Sequence, residues 1–333
     1  MKKLLIVFIS IMSIMSMIAC SSKEVSNESK KSIDTKTYVI GIGQFAEHSS
    51  LDNCREGFIA GLKNEGFIEN ENLKVLYDNA QTDGSTAYQI YNNYKNQNVD
   101  MAVAIATPMA QAAYSVFKDD NTPIIYTAIT DPVLADLASS DKKPLGNITG
   151  TSDVLPAEKQ LEMIKNILPN AKKIGILYTT SEVNSESSIK LFKEVAPKFG
   201  FEIIDVGVSQ SNEIPLATDR ILGAVDCLNN ITDNTVVASL PLILDKANEK
   251  NIPIFGSEIE QVKLGCVGSV GLDYYKLGIQ TGQMAAKVLN GENIQNMNFE
   301  TIIDSDLFLN KGAIEKLNIE VSEEYFKKAK EVF

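Results

Sequence analysis

The sequence contains no tryptophan and only one histidine, His48, in 333 residues. Metal sites and the common nucleophile–base pairs draw heavily on histidine, so a lone histidine argues against a metal centre or a catalytic dyad. The sequence also lacks a GxSxG segment and any CxxC spacing. We therefore expect a protein that is not an enzyme and that needs no metal or cofactor.

Basic residues are in the minority, with 31 lysines and arginines against 43 aspartates and glutamates. Such an acidic surface disfavours nucleic acid and anionic lipid headgroups as partners. Cysteines are also few. Beyond Cys20 the chain has Cys54, Cys227 and Cys266, each among apolar residues. We expect buried free thiols rather than a disulfide framework, with a Cys227–Cys266 bridge left open.

One long apolar run occurs, and it lies at the start of the chain. Two lysines precede residues 4–18, a run that is short for a membrane span, and a small residue stands directly before Cys20. This junction resembles the bacterial lipobox, although Met17 replaces the commoner leucine. We predict a signal peptide over residues 1–19 and lipidation of Cys20, with palmitate among its acyl chains. An ordinary secretory signal is the alternative.

A polar segment, residues 20–37, follows the predicted cleavage site. It is rich in serine, lysine, glutamate and asparagine and carries only two large aliphatic residues. It therefore cannot bury enough apolar surface to offset the entropy of ordering. As a flexible tether it would hold the folded body roughly 20–25 Å from the membrane on average. We expect an extracytoplasmic protein anchored to the cell membrane through the lipid on Cys20.

The rest of the chain alternates short apolar runs with amphipathic helical stretches. The runs are residues 38–43, 73–77, 101–106, 124–128, 147–149, 174–178, 202–208, 227–231, 252–255 and 266–270. Runs that are buried on both faces and separated by helices indicate parallel sheets in an α/β fold. We predict a doubly wound architecture, with enough chain for two lobes that have separate cores.

Polar loops follow these runs, at the edge where open parallel sheets bind ligands. The loops are residues 44–52, 107–108, 130–132, 151–153, 179–185, 232–234 and 257–258. Thr107 before Pro108 and Asp131 before Pro132 predict an N-cap followed by a first-turn proline. Capping alone accounts for any one of these residues. Several helix starts that converge on one cleft would nevertheless form a site for a small carboxylate.

A GxGxxA pattern, formed by Gly41, Gly43 and Ala46, raises the alternative of dinucleotide binding. The pattern runs into a polar loop through His48 before any helix starts. No acidic strand end follows at the distance that such sites require, so we set this alternative aside.

Several segments of the body follow one another in a specific order and spacing. They are LDNCREGFIAGL at 51–62, NAQ with an aspartate at 79–83, IATPMAQAA at 105–113, YTAITDP at 126–132, NITGTSD at 147–153, the polar positions of 182–185, TDNTVV at 232–237 and DYYKLGIQTG at 273–282. In these segments the chain resembles the solute-binding lipoproteins of bacterial ABC transporters, similar to the tryptophan- and tyrosine-binding proteins. The resemblance covers the body from about residue 39 to residue 291.

This resemblance implies a type I periplasmic-binding-protein fold, in which two doubly wound parallel-sheet lobes are joined by three crossover strands. We place the N-terminal lobe at 38–153 with 274–300, and the C-terminal lobe at 154–273 with 301–333. The implied function is capture of a free aromatic amino acid by lobe closure, with tyrosine favoured over phenylalanine or tryptophan. The implied partners are a transmembrane permease and its ATPase, and we expect a monomer.

A free amino acid needs donors for its carboxylate and an acceptor for its ammonium. Candidate donors are Ser49, Ser50, Thr107, Ser152, Asn184 and Ser185, supplemented by Thr127 and Asn234. Candidate ammonium partners are Asp131, Asp153, Glu182, Asp233 and Glu258. Asp153 and Asp233 rank first because each follows a strand at a lobe edge, although a capping or hinge hydrogen bond explains either of them equally well.

The ligand side chain needs a pocket of its own. Aromatic candidates for its wall are Phe45, Tyr126, Tyr178, Phe255 and Tyr275, each of which can equally belong to the core. Gln44, His48 and Gln111 could hydrogen-bond a phenol, which is the reason for favouring tyrosine. A sugar or nucleoside ligand, or a role in surface adhesion, remains the alternative.

Overall fold

The computed structural model describes residues 36–302 and 304–333. The predicted signal peptide, the lipidation site Cys20 and all but the last two residues of the predicted tether lie outside the described residues. No helix in the described part of the chain is long and apolar enough to cross a membrane.

Strands and helices alternate along the described residues. The strands are β1 (Tyr38–Gln44), β2 (Leu73–Asn79), β3 (Met101–Ile105), β4 (Ile124–Ile129), β5 (Ile148–Ser152), β6 (Lys173–Thr179), β7 (Glu202–Val208), β8 (Cys227–Asn229), β9 (Ile254–Phe255), β10 (Gly268–Gly271), β11 (Glu300–Thr301), β12 (Asp306–Leu309) and β13 (Glu331–Val332). The helices are α1 (Ser49–Asn64), α2 (Gly84–Asn96), α3 (Thr107–Phe117), α4 (Ala157–Ile167), α5 (Val183–Val195), α6 (Ile214–Leu222), α7 (Asn234–Ala238), α8 (Leu240–Glu249), α9 (Ile259–Leu264), α10 (Tyr274–Leu289), α11 (Lys311–Lys316) and α12 (Glu323–Phe326). Short 3₁₀ turns occur at Ala196–Phe199, Ser211–Glu213 and Ile294–Asn296.

The first lobe is built on a six-stranded parallel sheet in the order β11-β5-β4-β3-β1-β2. Every residue of β3, β4 and β5 is buried, which explains why β3 and β4 are largely apolar without alternation. The core of this lobe joins the sheet to the buried faces of the flanking helices, with Ile42, Phe58 and Tyr126 fully inaccessible.

The second lobe contains a four-stranded parallel sheet, β7-β6-β8-β9, and a separate three-stranded sheet, β10-β12-β13. In the smaller sheet β10 and β12 are antiparallel, whereas the sequence predicted only parallel pairing. Between β10 and β12 the chain passes through α10 and β11 of the first lobe, so this pair is not joined by a βαβ crossover within its own sheet.

The chain passes between the sheets of the two lobes three times, after β5, after β10 and after β11. The predicted α/β fold class, with two lobes and three crossovers, is confirmed.

Helices α1 and α10 of the first lobe touch backbone to backbone. A Cβ atom on Gly278 would stand 2.1 Å from the carbonyl oxygen of Cys54, and one on Gly57 would stand 2.1 Å from the carbonyl oxygen of Tyr275. Only glycine allows this approach, and Gly61 and Gly282 extend it by one turn. Residues 54–62 of α1 are therefore held against residues 275–282 of α10.

The glycines of the GxGxxA pattern have a packing role. A Cβ on Gly41 would lie 2.5 Å from the ring of Tyr94, and one on Gly43 would lie 2.6 Å from the hydroxyl oxygen of Tyr91. Both tyrosines are fully buried, and their hydroxyls donate to the carbonyls of Ile42 and Val103. The pattern makes room for two aromatic rings under the sheet.

Candidate functional site

A narrow cavity of about 10 Å³ lies where the carboxyl ends of the strands of the two lobes face each other. The first lobe lines it with His48, Ser50, Leu51, Ala128, Asp153 and Tyr274, and the second with Thr232, Asn234, Val237, Glu258 and Gln261. That volume has room for about one water molecule in the present arrangement of the lobes.

Local structure explains how these residues reach the cavity. His48, Ser50 and Leu51 belong to the start of α1, and Asp153 directly follows β5. Ala128 lies in a strand irregularity where the register of β4 with β5 shifts, and its φ of 57° is left-handed. Such bulges re-aim backbone at functional sites.

Asp153 supplies a buried acceptor to the cavity. Its Oδ2 accepts a hydrogen bond from the hydroxyl of Tyr274, whereas its Oδ1 is buried and has no partner. Burial raises the pKa of Asp153, and hydrogen bonds from Tyr274 and Thr130 oppose that shift. An unpartnered buried carboxylate oxygen is costly unless a cation or donor arrives with a ligand.

No lysine or arginine is among the residues that line this cavity. In the second acidic group, Glu258, the carboxylate oxygens accept hydrogen bonds from the protein. It caps α9 by accepting from the backbone amides of Glu260 (2.7 Å) and Gln261 (3.0 Å), and it also accepts from the hydroxyl of Ser50 in the first lobe. Burial raises the pKa of Glu258 to about 7. Of the two acidic groups of the cavity, Asp153 is therefore the one with a free acceptor oxygen, and Glu258 links the two lobes.

Gln261 supplies a donor from the second lobe. Its Oε1 accepts from the backbone amide of Ser257 and from the side-chain amide of Asn230, both at 3.1 Å. A backbone N–H can only donate, so these contacts fix which end of the amide is the oxygen. The Nε2 group is buried and has no partner, and it belongs to a residue that lines the cavity.

Two further cavity residues carry unpartnered polar atoms, Thr232 at Oγ1 and His48 at both ring nitrogens. Burial lowers the pKa of His48 to about 4, although Asn234 and Asp52 act in the opposite direction. The imidazole is therefore neutral near pH 7, with one donor and one acceptor nitrogen. His48 is also the N-cap of α1 but makes no side-chain cap, so the positive end of the 16-residue helix is left without a side-chain acceptor.

The structure brings together five of the sixteen ligand-site residues expected from the sequence. They are His48, Ser50, Asp153, Asn234 and Glu258. Leu51, Ala128, Thr232, Val237, Gln261 and Tyr274 also line the cavity and were not on that list. Their positions in the sequence could have identified them, because each lies close to a predicted residue at a strand end or a helix start.

Asp233 and Glu182 lie outside the cavity lining, and their carboxylate oxygens accept hydrogen bonds from the protein. Asp233 accepts from the amide and hydroxyl of Thr179, the hydroxyl of Ser185 and the amide of Val236, at 2.6–2.9 Å. Glu182 accepts from Asn184 and from the backbone and side chains of Asn234 and Thr235, at 2.6–3.1 Å. Burial and the Asp233 charge raise the pKa of Glu182 to about 7. This network shapes the start of α7.

The other polar candidates of the first lobe also have structural contacts. Gln44 donates to the Ala46 carbonyl and to Asp52 and accepts from Arg55. The hydroxyl of Thr127 lies 3.0–3.2 Å from those of Thr151 and Thr281 and from the thiol of Cys54. Ser152 donates to the carbonyl of Thr130, and Ser49 is exposed at the first residue of α1.

The capping predictions need correction. Helix α3 begins at Thr107 itself, with Ala106 as an N-cap that has a φ of 85°, and the Thr107 hydroxyl is buried without a partner. Asp131 caps a turn rather than a helix, accepting from the amides of Val133 and Leu134 through Oδ1. Its Oδ2 accepts from the hydroxyl of Ser187 in the second lobe at 3.1 Å.

The aromatic residues proposed for the ligand wall do not line this cavity. Phe45, Tyr126 and Phe255 are core residues, and Tyr275 is 42% exposed. Tyr178 lines a different, open groove on the second lobe, and Gln111 donates to the carbonyl of Ala135. The described cysteines, Cys54, Cys227 and Cys266, are buried free thiols.

Comparison with known proteins gives one consistent family. The family model for ABC transporter substrate binding proteins matches residues 39–333. The chain is 39% identical to the tyrosine-binding protein of Clostridioides difficile strain R20291, over 96% of this chain and 93% of that protein. It is also similar to the L-tryptophan complex of an ABC domain from Streptococcus pneumoniae, with 34% identity, a TM-score of 0.86 and coverage of 90% and 100% of the two chains.

A third relative informs the arrangement of the lobes. It is the ligand-free, open structure of a Clostridium difficile substrate-binding protein with adhesive properties, 38% identical over 89% of this chain and 99% of that one. Its TM-score is only 0.66, although its identity exceeds that of the tryptophan complex. The lobes of the present structure are therefore arranged more as in the complex than as in the open form.

Proposed function

The chain belongs to the ABC transporter substrate-binding protein family, and on that premise we propose that it captures a free aromatic amino acid, tyrosine in the first place, between its two lobes. As a member of this family it is a binding protein and not an enzyme, it acts outside the cytoplasm, and it serves an ABC transporter.

The observation that carries the proposal is the set of unpartnered polar atoms around one cavity. Asp153 Oδ1 is an acceptor, whereas Gln261 Nε2 is a donor, and the hydroxyl of Thr232 can donate. We assign the ligand ammonium to Asp153, because a charge-assisted pair would compensate the burial of that carboxylate. Asp233 and Glu182 are not assigned to the ligand, because their oxygens already accept hydrogen bonds from the protein.

The ligand carboxylate is assigned to the start of α1 together with the donors of the second lobe. The uncapped first turn of α1 carries Ser50 and Leu51 into the cavity wall, and helix N-termini favour anions. Gln261 and Thr232 face the same space from the other lobe. A ligand held in this way bridges both lobes, which is what shifts an open–closed equilibrium.

The preference for tyrosine rests on His48 and on the relatives. The hydroxyl of a phenol both donates and accepts a hydrogen bond. The neutral imidazole of His48 has one acceptor nitrogen and one donor nitrogen, so it can match either role. Leu51, Val237 and the ring of Tyr274 provide apolar wall. One relative is named a tyrosine-binding protein and another was solved with L-tryptophan, which supports an aromatic ligand.

Lobe closure is supported by contacts that cross the cleft. Ser50 donates to Glu258 beside the cavity, and Ser187 donates to Asp131 at 3.1 Å. We propose that these contacts form on closure and that the closed protein then docks on its permease. The lobe boundaries given above, the lipid anchor on Cys20 and the monomeric state remain parts of this proposal.

A ligand panel tests the proposal. The midpoint of thermal unfolding would be measured with each of the twenty amino acids, representative sugars and nucleosides, after unfolding and refolding to remove any copurified ligand. Ligands that bind the native state raise the midpoint by mass action. We expect a rise with aromatic amino acids, largest for tyrosine. A response to sugars or nucleosides alone would overturn the substrate class.

Asp153→Asn tests the ammonium assignment, because the variant keeps the shape of the side chain and removes its charge. Truncating one side of a buried charge pair costs about 2–5 kcal/mol, so the affinity for tyrosine should fall by at least about 30-fold in calorimetric titration. The matched control is Asp219→Asn, which removes an exposed charge on α6, away from the cavity. Equal affinity in both variants would refute the assignment.

A further inference from the structure

Asp153 and Tyr274 meet at the point where the chain crosses between the lobes. Asp153 directly follows β5 and Tyr274 is the first residue of α10, directly after the passage from β10. They are 121 positions apart in sequence, and their side chains are joined by the hydrogen bond from the Tyr274 hydroxyl to Asp153 Oδ2. Both residues are almost fully buried, Asp153 at 2% and Tyr274 at 3% exposure.

We propose that Tyr274 is a positioning residue for ligand binding, whose hydroxyl holds the Asp153 carboxylate so that the other oxygen, Oδ1, receives the ligand ammonium. This inference rests on the proposed function and assigns a role to a residue that the sequence did not identify as part of the site.

The surroundings of the pair support this role. The backbone amide of Asp153 donates to the carbonyl of Ile129 at 3.2 Å, which fixes one end of the residue. Tyr274 is held at the other side, because α10 is locked against α1 by the glycine contact of Gly278 with Cys54. Both anchors belong to the first lobe. The acceptor is therefore built before the second lobe closes, and preorganisation of this kind lowers the cost of binding.

The hydroxyl also acts on the charge of Asp153. A hydrogen bond to a carboxylate stabilises its ionised form, so the Tyr274 hydroxyl opposes the rise in pKa that burial causes. The other groups around the pair are Thr130 beside β4, Cys54 and His48 from the α1 region, and Glu258 from the second lobe. None of these groups is changed by a substitution at Tyr274.

The test compares Tyr274→Phe with the unsubstituted full chain. Phenylalanine keeps the ring and removes only the hydroxyl, and Tyr275→Phe is the matched control because Tyr275 is exposed and outside the cavity lining. The probes are L-tyrosine and 3-(4-hydroxyphenyl)propionate, which lacks the ammonium. Affinities are measured by calorimetry from pH 4 to pH 8, and circular dichroism verifies the fold.

Three results are expected. Tyr274→Phe weakens L-tyrosine binding about 10- to 100-fold, the effect of losing a hydrogen bond to a charged group. The pH below which L-tyrosine affinity declines moves upward, because Asp153 now protonates at higher pH. The affinity for the propionate probe changes far less, since that probe does not use Asp153. Tyr275→Phe behaves like the unsubstituted protein.

The contradicting outcomes are distinct. If the unsubstituted protein binds L-tyrosine, an equal loss for both probes without a shift of the acid limb shows that Tyr274 is merely structural. Unchanged binding in Tyr274→Phe overturns the inference as well. In both cases the proposed function stands. If the unsubstituted protein binds neither L-tyrosine nor any other amino acid, the proposed function fails and this inference falls with it.

Discussion

Gly278→Ala is the substitution whose consequences the structure specifies most closely. The added Cβ would lie 2.1 Å from the carbonyl oxygen of Cys54 and 2.7 Å from the backbone nitrogen of Phe58, whereas real Cβ contacts essentially never fall below 3.0 Å. The obstacle is the backbone of α1, which cannot rotate out of the way as a side chain can. Helices α1 and α10 would therefore have to separate by roughly 1 Å, in an interior that packs at near-crystalline density.

Two energies oppose each other in this variant. Alanine is the better helix former by about 0.5–1 kcal/mol, but overpacking of a well-packed contact costs typically 1–3 kcal/mol and occasionally more. Because the clash is with backbone, we place the cost at or above the upper end of that range and expect a net loss of about 2 kcal/mol. With an unfolding entropy of about 2.1 cal/mol/K for each of roughly 300 folded residues, that corresponds to a decrease in Tm of about 3 °C.

The same movement should also reach the site, because the starts of α1 and α10 carry Ser50, Leu51 and Tyr274. Affinity for tyrosine should therefore fall together with stability. Urea denaturation and calorimetric titration measure the two effects. Gly84→Ala is the control, since a Cβ on Gly84, at the first residue of α2, would meet nothing within 4 Å. Stability of Gly278→Ala within 0.5 kcal/mol of the unsubstituted protein, with intact affinity, would refute the reasoning.

Two further predictions concern α9. Glu258 has a folded pKa of about 7 against 4.5 for the free side chain. Between these two pH values the folded chain retains a proton that the unfolded chain releases. The contribution of Glu258 to the free energy of unfolding therefore falls as pH rises, by at most about 1.4 kcal/mol per pH unit. Glu258→Gln should remove this slope, and parallel slopes for the two proteins in urea denaturation between pH 4.5 and pH 7 would contradict it. Gln261→Glu keeps the acceptor for Ser257 and Asn230 but replaces the donor Nε2, and we expect at least a tenfold loss of tyrosine affinity in calorimetry. An unchanged affinity would remove Gln261 from the site.

The ranking of the acidic candidates shows where sequence reasoning stops. Asp153 and Asp233 both follow a strand, and from the sequence they are equivalent. In the structure both carboxylate oxygens of Asp233 accept hydrogen bonds from protein donors, whereas Oδ1 of Asp153 accepts none. The difference depends on which segments lie beside each carboxylate. Thr179 and Ser185, which bind Asp233, are 54 and 48 positions away in sequence, and Tyr274, which binds Asp153, is 121 positions away.

Gln261 illustrates the same limit in the opposite direction. The sequence shows only a polar residue in the first turn of a short helix. It becomes a candidate in the structure because Ser257 and Asn230 occupy its oxygen and leave its nitrogen unpartnered at the cavity. Likewise, the aromatic residues at strand ends were plausible ligand walls by position, but Phe45, Tyr126 and Phe255 point into the cores.

The fold class follows from the sequence alone, because unbroken apolar runs separated by amphipathic helices can be buried only as parallel strands covered by helices on both faces. The ordered motifs also identified the family, and the polar loops predicted the sheet edge at which the candidate site lies. Those features depend on local periodicity and on chain order. Which polar atoms have no partner in the cavity follows from the tertiary contacts. Hydrogen-bond satisfaction is a property of three-dimensional neighbours, and the two lobes that meet there are each assembled from separate stretches of the chain.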